Sequence, residues 1–261
     1  MPVISIHDKS AIQAFARSSP FQYLYEIGDL DDFFWPYTSW YGVVDGKQLR
    51  ELALLYAGVS PPVLLVHTQT GPAGANALVE GLLNMLPPKF YSHLDAPMIA
   101  ALAPHVTMES HGRYLRMGLT EPQQLSAPRQ NAQTLSTHDL PEIRAFYAAA
   151  YPDNWFDPRM LETGAYAGLR INGRLAAVAG IHVYSPEYDA AAIGNVAVLP
   201  EQRGTGLAQA ITAHVCRHLL ACGVKTIGLN VRADNAAAIA AYSRIGFAQV
   251  DEYFENMCVR K

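Results

Sequence analysis

The most chemically suggestive stretch of the chain runs from Asn195 to Val215, NVAVLPEQRGTGLAQAITAHV. A β-branched strand enters Pro200, a turn holds Arg203-Gly204-Thr205-Gly206, and an amphipathic helix begins at once. Glycines let a backbone come close to a ligand, and the free N–H groups of a first helical turn converge on one spot. The helix dipole makes that spot positive, so a pyrophosphate is its natural guest. Arg203 could add a charge-assisted contact. The same glycines would also serve a strand–turn–helix corner that needs them for geometry alone. A P-loop is excluded, because no Gly-Lys-Ser/Thr ending follows. Gly204-Thr205-Gly206 with Ala210 loosely resembles a dinucleotide fingerprint. Too little chain follows Gly206 for the rest of a doubly wound domain, and Asn230 stands near the place of its acidic residue. The dinucleotide reading is therefore a distant one.

A second motif comes after one further strand: Asn235-x-x-Ala238-Ile239-x-x-Tyr242-x-x-x-Gly246-Phe247. Arg203-x-x-Gly206-x-Ala208 after Val196-Ala197-Val198-x-Pro200, followed in order by this second signature, resembles the acyl-CoA loop and following helix of GNAT-type N-acetyltransferases. The resemblance covers residues 131–261. With an unlike N-terminal half, the arrangement looks similar to the two-domain glycine N-acyltransferase-like branch.

The resemblance implies roles for residues of this chain. Val196, Ala197 and Val198 would line the pantetheine arm as a third strand does. The backbone N–H groups of Arg203, Gly204, Thr205, Gly206, Leu207 and Ala208 would hold the pyrophosphate. Asn235 would hydrogen-bond the cofactor arm, with Ala238 beside it. Tyr242 would be the general acid that protonates the departing thiolate, a reasonable transfer from a phenol near pKa 10 to a thiolate whose conjugate acid is near 8.5. A bulge at Gly194 would splay this strand from TIGLNV and leave a slot for the thioester. The implied co-substrate is acetyl-CoA.

The sequence departs from the family at the base. Many members carry a carboxylate on the strand before the loop, whereas residues 192–198 hold none. His182, with an intrinsic pKa near 6.5, is the candidate on the preceding strand. Glu187 and Asp189 in the intervening loop are others, and Asn195 could orient a water instead. The turn Tyr151-Pro152-Asp153-Asn154-Trp155-Phe156 offers Tyr151, Trp155 and Phe156 to an apolar or aromatic acceptor, or to packing. His214, His218 and Cys222 recur every four residues, a spacing that could gather three metal ligands. At ~100° per residue, however, His218 and Cys222 fall among Leu207, Ile211 and Val215, so a buried Cys222 is expected and no metal site. Cys216 points the other way.

The secondary structure around these residues reads clearly in the second half. Asp139 with Pro141 opens a helix over IRAFYAAAY, and a short helical segment follows Asp157-Pro158. Strands AYAGLRI and RLAAVAGIHVY join at Asn172-Gly173, a strong hairpin signal. AAIGNVAVL, helix 206–222, TIGLNV, helix 235–245 and AQVDEYFENMCV complete the order α-α-β-β-β-α-β-α-β, a mixed sheet with helices packed on it. In the first half, FQYLYEI, FFWPYTSW, YGVVDGKQLRELALLYA (turning at Asp45-Gly46), PPVLLVHT, KFYSHL and HVTMESHGRYLRM read as strands. GANALVEGLLNML and APMIAALA read as helices. From residue 62 the order β-α-β-α-β repeats that seen from residue 190, so the first half is a candidate degenerate copy of the same fold. Its own turn, HTQTGPAG, lacks the Arg-x-x-Gly-x-Ala pattern, so it would not bind CoA in the same way. The stretch from Phe21 to Tyr41 is dense in aromatic residues, which core strands explain in most part.

Half of the residues are hydrophobic and 16% are charged. That composition excludes an intrinsically disordered chain. No apolar run approaches the ~18–20 residues that span a bilayer, and MPVISIHDKS lacks the basic stretch and apolar core of a secretory signal. The net charge of −4 without a basic run argues against a nucleic-acid partner. Three cysteines fit neither a disulfide framework nor a four-cysteine zinc site. The polar, proline-bearing segment between Leu119 and Thr137 sets domains of 1–130 and 131–261. The expectation is a cytoplasmic two-domain α/β protein, monomer or homodimer, whose second domain transfers an acetyl group from acetyl-CoA to an amine of a small-molecule or peptide acceptor by direct attack. The rival is a non-catalytic CoA-binding sensor or assembly module.

Overall fold

The computed structural model describes residues 2–125 and 132–261. The first half runs β1 (Val3–Ser5), α1 (Lys9–Ala16), α2 (Leu24–Gly28), β2 (Thr38–Asp45), β3 (Gln48–Tyr56), β4 (Val63–Val66), α3 (Pro72–Leu82), β5 (Lys89–Leu94), α4 (Ala96–Leu102) and β6 (Val106–Leu119). The second runs β7 (Ala132–Thr134), α5 (Leu140–Ala150), β8 (Ala167–Ile171), β9 (Arg174–Ser185), β10 (Ala190–Val198), α6 (Leu207–Ala221), β11 (Thr226–Arg232), α7 (Ala236–Ser243) and β12 (Phe247–Arg260). The order expected for the second half is present, with β7 added and the segment after Asp157 formed as 3-10 turns over Pro158–Thr163.

Two compact units result, and they interleave along the chain. Unit 1 holds Met1–Arg116, Arg232–Asp234 and Val250–Lys261; unit 2 holds Met117–Val231 and Asn235–Gln249. Thus β6 and β12 each begin in one unit and end in the other. The boundary expected at residues 130 and 131 lies outside the described residues.

Each unit carries the same series of strand pairings. In unit 1, β1-β2, β2-β3 and β3-β4 are antiparallel and β4-β5 is parallel. In unit 2, β7-β8, β8-β9 and β9-β10 are antiparallel and β10-β11 is parallel. A parallel step requires a crossover, which α3 supplies in the first series and α6 in the second. Residues 254–259 of β12 close unit 1 against β5 in antiparallel register. Both hairpin turns read from sequence form, with positive φ at Gly46 and at Asn172-Gly173. Burial follows period 3.6 on the helices and the apolar runs on the strands. Leu64, Val66, Leu78, Leu82, Phe90 and Met98 pack in unit 1, and Ile143, Val178, Ile181, Ile193, Ile211 and Ile227 are buried in unit 2.

One expected strand of the first half is a helix, and another begins later than expected. Residues 21–27 turn into α2, where Tyr23, Leu24 and Ile27 are buried and the Ile27 N–H donates to the Tyr23 carbonyl. The aromatic residues there resemble a β-former run, but the backbone closes i to i+4 bonds, Tyr23 carbonyl to Ile27 N–H and Tyr25 carbonyl to Asp29 N–H, instead of ladder bonds. FFWPYTSW becomes a strand only at Thr38, because Pro36 sits in a 3-10 turn over Trp35–Tyr37 and cannot donate to a ladder.

Candidate active site

The turn after β10 is built to leave donors open. Pro200–Gln202 forms a 3-10 turn, which takes up the Arg203 N–H on the Pro200 carbonyl. Gly204 and Gly206 then take φ of 78° and 79°, the left-handed region that favours glycine. Gly206 caps α6 with no side-chain acceptor. Among the described residues, no carbonyl or side chain accepts from the N–H groups of Gly204, Thr205, Gly206, Leu207 and Ala208. The Thr205 hydroxyl is bonded to the Gln202 carbonyl, 2.7 Å away. The Arg203 guanidinium does not reach into the turn's mouth. It donates to the carbonyls of Val198 (3.3 Å) and Ala150 (3.1 Å), so it braces the turn.

Beside this turn the sheet opens. Pairing of β10 with β11 is registered over residues 190–193 only, while β10 continues to Val198. Two irregularities sit at the parting. On β9 the register against β10 skips at His182, and on β10 it skips between Gly194 and Ala197, where Asn195 takes φ of 53°. Val196 and Val198 are half-buried and Ala197 is buried. The His182 ring lies directly on Gly194, so a methyl group there would collide with Cδ2 and Nε2 of that ring. Gly180, the cross-strand partner of Gly194, makes room in the same way for the Tyr166 ring. Both glycines are thus slots for aromatic rings.

Of the proposed bases, only His182 is at this opening. Asp189 and Glu187 precede β10, and the whole paired stretch 190–193 separates them from Gly194. Asp189 is also occupied, with Lys225 Nζ 2.6 Å away. Asn195 is committed as well. Its Oδ1 accepts from the Trp155 N–H (3.2 Å), its Nδ2 donates to Tyr166 Oη (3.0 Å), and its carbonyl accepts from Tyr147 Oη (2.7 Å). Neither Tyr147 nor Tyr166 carries a signal in the sequence, because these bonds join residues 48 and 29 positions apart and leave no trace in local spacing.

This clamp also sets the acceptor turn. Phe156 is packed, with ring centroids 5.3 Å from Tyr147 and 5.6 Å from Tyr166. Tyr151 and Trp155 are the exposed aromatics of the turn, at 40% and 41%. On α7, Asn235 serves first as the N-cap: its Oδ1 accepts from the Ala238 N–H at 3.1 Å, which leaves Nδ2 to offer outward. Tyr242 is buried on the same helix, and burial pushes its phenol well above the usual range. Burial thus keeps the phenol protonated, the form that a general acid must hold before it donates.

Among the described residues no group of three or more His, Cys, Asp and Glu could hold a metal ion. The cysteine placement differs from expectation. Cys216 is fully buried and Cys222 is exposed. The core stripe of α6 is rotated toward Thr212, Cys216 and Leu219, and Cys222 lies past the last turn as the C-cap, where the helical period no longer applies.

Unsatisfied backbone donors at a crossover helix, next to a parallel strand pair that parts, are the two features that an anionic head with an extended arm would need. The profile of the Acetyltransferase (GNAT) family matches residues 132–247. The chain is 38% identical over 119 residues to the [ribosomal protein bS18]-alanine N-acetyltransferase of Escherichia coli K12, covering 44% of this chain and 78% of that one. It is 34% identical over 111 residues to the mycothiol acetyltransferase of Paenarthrobacter aurescens, covering 41% of this chain and a smaller share, 33%, of that enzyme. A GNAT-family acetyltransferase structure from Novosphingobium aromaticivorans shares the fold over 84% of this chain and 91% of its own, with a TM-score of 0.62 at 23% identity. The chain belongs to the GNAT family of acetyl-CoA-dependent N-acetyltransferases.

Proposed function

We propose that unit 2, which holds most of residues 131–261, is the catalytic domain and transfers an acetyl group from acetyl-CoA to the primary amine of a small molecule or of a peptide N-terminus. The observation that carries this is the row of five unaccepted N–H groups at the turn beside the parted strands. The backbone from Arg203 to Ala208 would hold the pyrophosphate, and Val196 to Val198 with Asn235 and Ala238 the pantetheine arm. Tyr151 and Trp155 would flank the acceptor, with Phe156 supporting the turn from its packed position. The amine attacks the thioester carbonyl, a C–N bond forms and the C–S bond breaks. His182 takes the amine proton and Tyr242 gives its proton to the thiolate. Strand N–H groups would polarise the carbonyl. Residues 1–130 are read as a degenerate copy of the same fold, in the manner of the two-domain glycine N-acyltransferase-like branch, with the matching pairing series as support. The chain would work in the cytoplasm as a monomer or homodimer. No helix among the described residues is long and apolar enough to cross a membrane.

The test is amine-dependent thiol release from acetyl-CoA across a panel of free-N-terminal alanine peptides, amino sugars and amino acids. Release with any class identifies the acceptor chemistry. The lack of a carboxylate in the β10 sequence favours one other reading, a CoA-binding module without catalysis; saturable acetyl-CoA binding with no release over the whole panel would establish it.

A further inference from the structure

The turn after β4 occupies in unit 1 the place that the turn after β10 occupies in unit 2: each ends the fourth strand of its series and opens the crossover helix to a parallel neighbour. Their donors differ completely. The Thr68 N–H is accepted by Asp95 Oδ2 (2.8 Å), the Gln69 N–H by Glu51 Oε2 (2.8 Å) and the Thr70 N–H by Glu51 Oε1 (2.8 Å). The Thr68 and Thr70 hydroxyls add bonds of 2.5 Å to Asp95 Oδ2 and 2.6 Å to Glu51 Oε1. Glu51 is 1% exposed, and α3 is shaped to receive it: a methyl group on Gly74 would collide with Glu51 Oε1.

We propose that this turn is an anion site which the chain fills with its own Glu51 and Asp95 carboxylates, so that each chain takes up one acetyl-CoA, at unit 2. The inference rests on the reading of unit 2 as the acyl-CoA domain. Consecutive backbone N–H groups embracing both oxygens of one carboxylate are what two oxygens of a phosphate would receive at a helix start. Strand register shows why only one unit is filled. Glu51 lies two residues before Ala53, the partner of Val66 at the end of β4. The matching position in unit 2, two residues before Ala177, the partner of Val198 at the end of β10, is Leu175, whose buried side chain has no acceptor to give. The strands agree: β4 pairs with β5 through its last residue without a register shift, so unit 1 has no parting beside its turn.

Calorimetry with acetyl-CoA and with inorganic pyrophosphate tests this on the full chain and three variants: Gly206→Glu, Gly206→Glu combined with Glu51→Ala, and Gly206→Glu combined with Glu51→Gln. The native chain is expected to bind one equivalent of acetyl-CoA, and Gly206→Glu none. Adding Glu51→Ala should raise pyrophosphate affinity about tenfold or more over Gly206→Glu alone, because two donors and the space beside Gly74 are released. The near-isosteric Glu51→Gln keeps the packing and should move affinity the same way by less. Two equivalents on the native chain, one equivalent surviving Gly206→Glu, or no pyrophosphate gain in either Glu51 variant would overturn the proposal. A native chain that binds no acetyl-CoA would instead overturn the reading of unit 2, and the pyrophosphate gain would still decide the unit 1 turn.

Discussion

The two units run through the same four strand pairings and the same kind of crossover, yet one turn holds carboxylates of its own chain and the other holds open donors. Their interiors differ in kind as well. Unit 1 encloses ionisable groups: Arg116 Nη1 lies 2.5 Å from Asp251 Oδ2, His67 and His93 stand beside Asp251 and Glu255, and Glu26 is buried. Unit 2 buries Tyr147 and Tyr166 against Asn195 beside the parting strands, and Tyr242 on α7, side chains that carry no charge at neutral pH. The pairing series sets where each turn lies, while Glu51 and Asp95 take up the donors of one turn and, among the described residues, no such acceptor meets those of the other.

The contrast between the turns should collapse most completely at Gly206. Gly206→Glu forces a side chain into the left-handed region at roughly 1–2 kcal/mol and sets a carboxylate against the open donors. Acetyl-CoA affinity should fall about 1000-fold or more, beyond detection by calorimetry, because the added carboxylate opposes an anion at the open donors.

Next comes the charged interior of unit 1. Burial raises the Glu26 carboxyl to about 7 against the Coulombic help of Arg116. Below the ordinary carboxylate range both folded and unfolded states hold the proton. As pH rises toward 7 the folded state retains a proton that the unfolded state has released, so stability is lost across that window and flat above it. The loss is about 3 kcal/mol. Denaturant titrations at a series of pH values should show it, and Glu26→Gln should remove most of it. An unchanged slope in that variant would assign the pH dependence to other groups.

Tyr242→Phe should lower kcat roughly 100-fold, as loss of a general acid does, while acetyl-CoA affinity stays near the native value. Undiminished turnover would take Tyr242 out of that role. A smaller change separates backbone donors from the side chain beside them. The Arg203 side chain braces the Val198 and Ala150 carbonyls. Arg203→Ala should therefore weaken acetyl-CoA binding by less than about tenfold, near the worth of one or two partly exposed hydrogen bonds. A loss equal to that of Gly206→Glu would make the guanidinium the chief anion contact.

Legibility from sequence was uneven for a physical reason. Turn chemistry is local, so Asn172-Gly173, Asp45-Gly46 and Arg203-Gly204-Thr205-Gly206 announced their corners, and the periodicity of α6 and of the second-half strands announced their elements. The segment from Phe21 to Tyr37 did not, because aromatic residues suit a strand and a buried helical turn alike. Within the candidate site, the loop, Asn235 and Tyr242 are proposed from two short motifs. Tyr147 and Tyr166 are not, since they meet Asn195 only through folding.

The element order of the second half, the glycine turn and the helix that carries Tyr242 follow from the residues alone, because each depends on φ, period or capping over a few positions. Folding settled three other matters: that His182 rather than Asp189 stands at the bulge, that Arg203 faces inward to carbonyls, and that Glu51 fills the turn of unit 1. Those outcomes depend on strand register, and register brings together residues whose separation along the chain carries no signal.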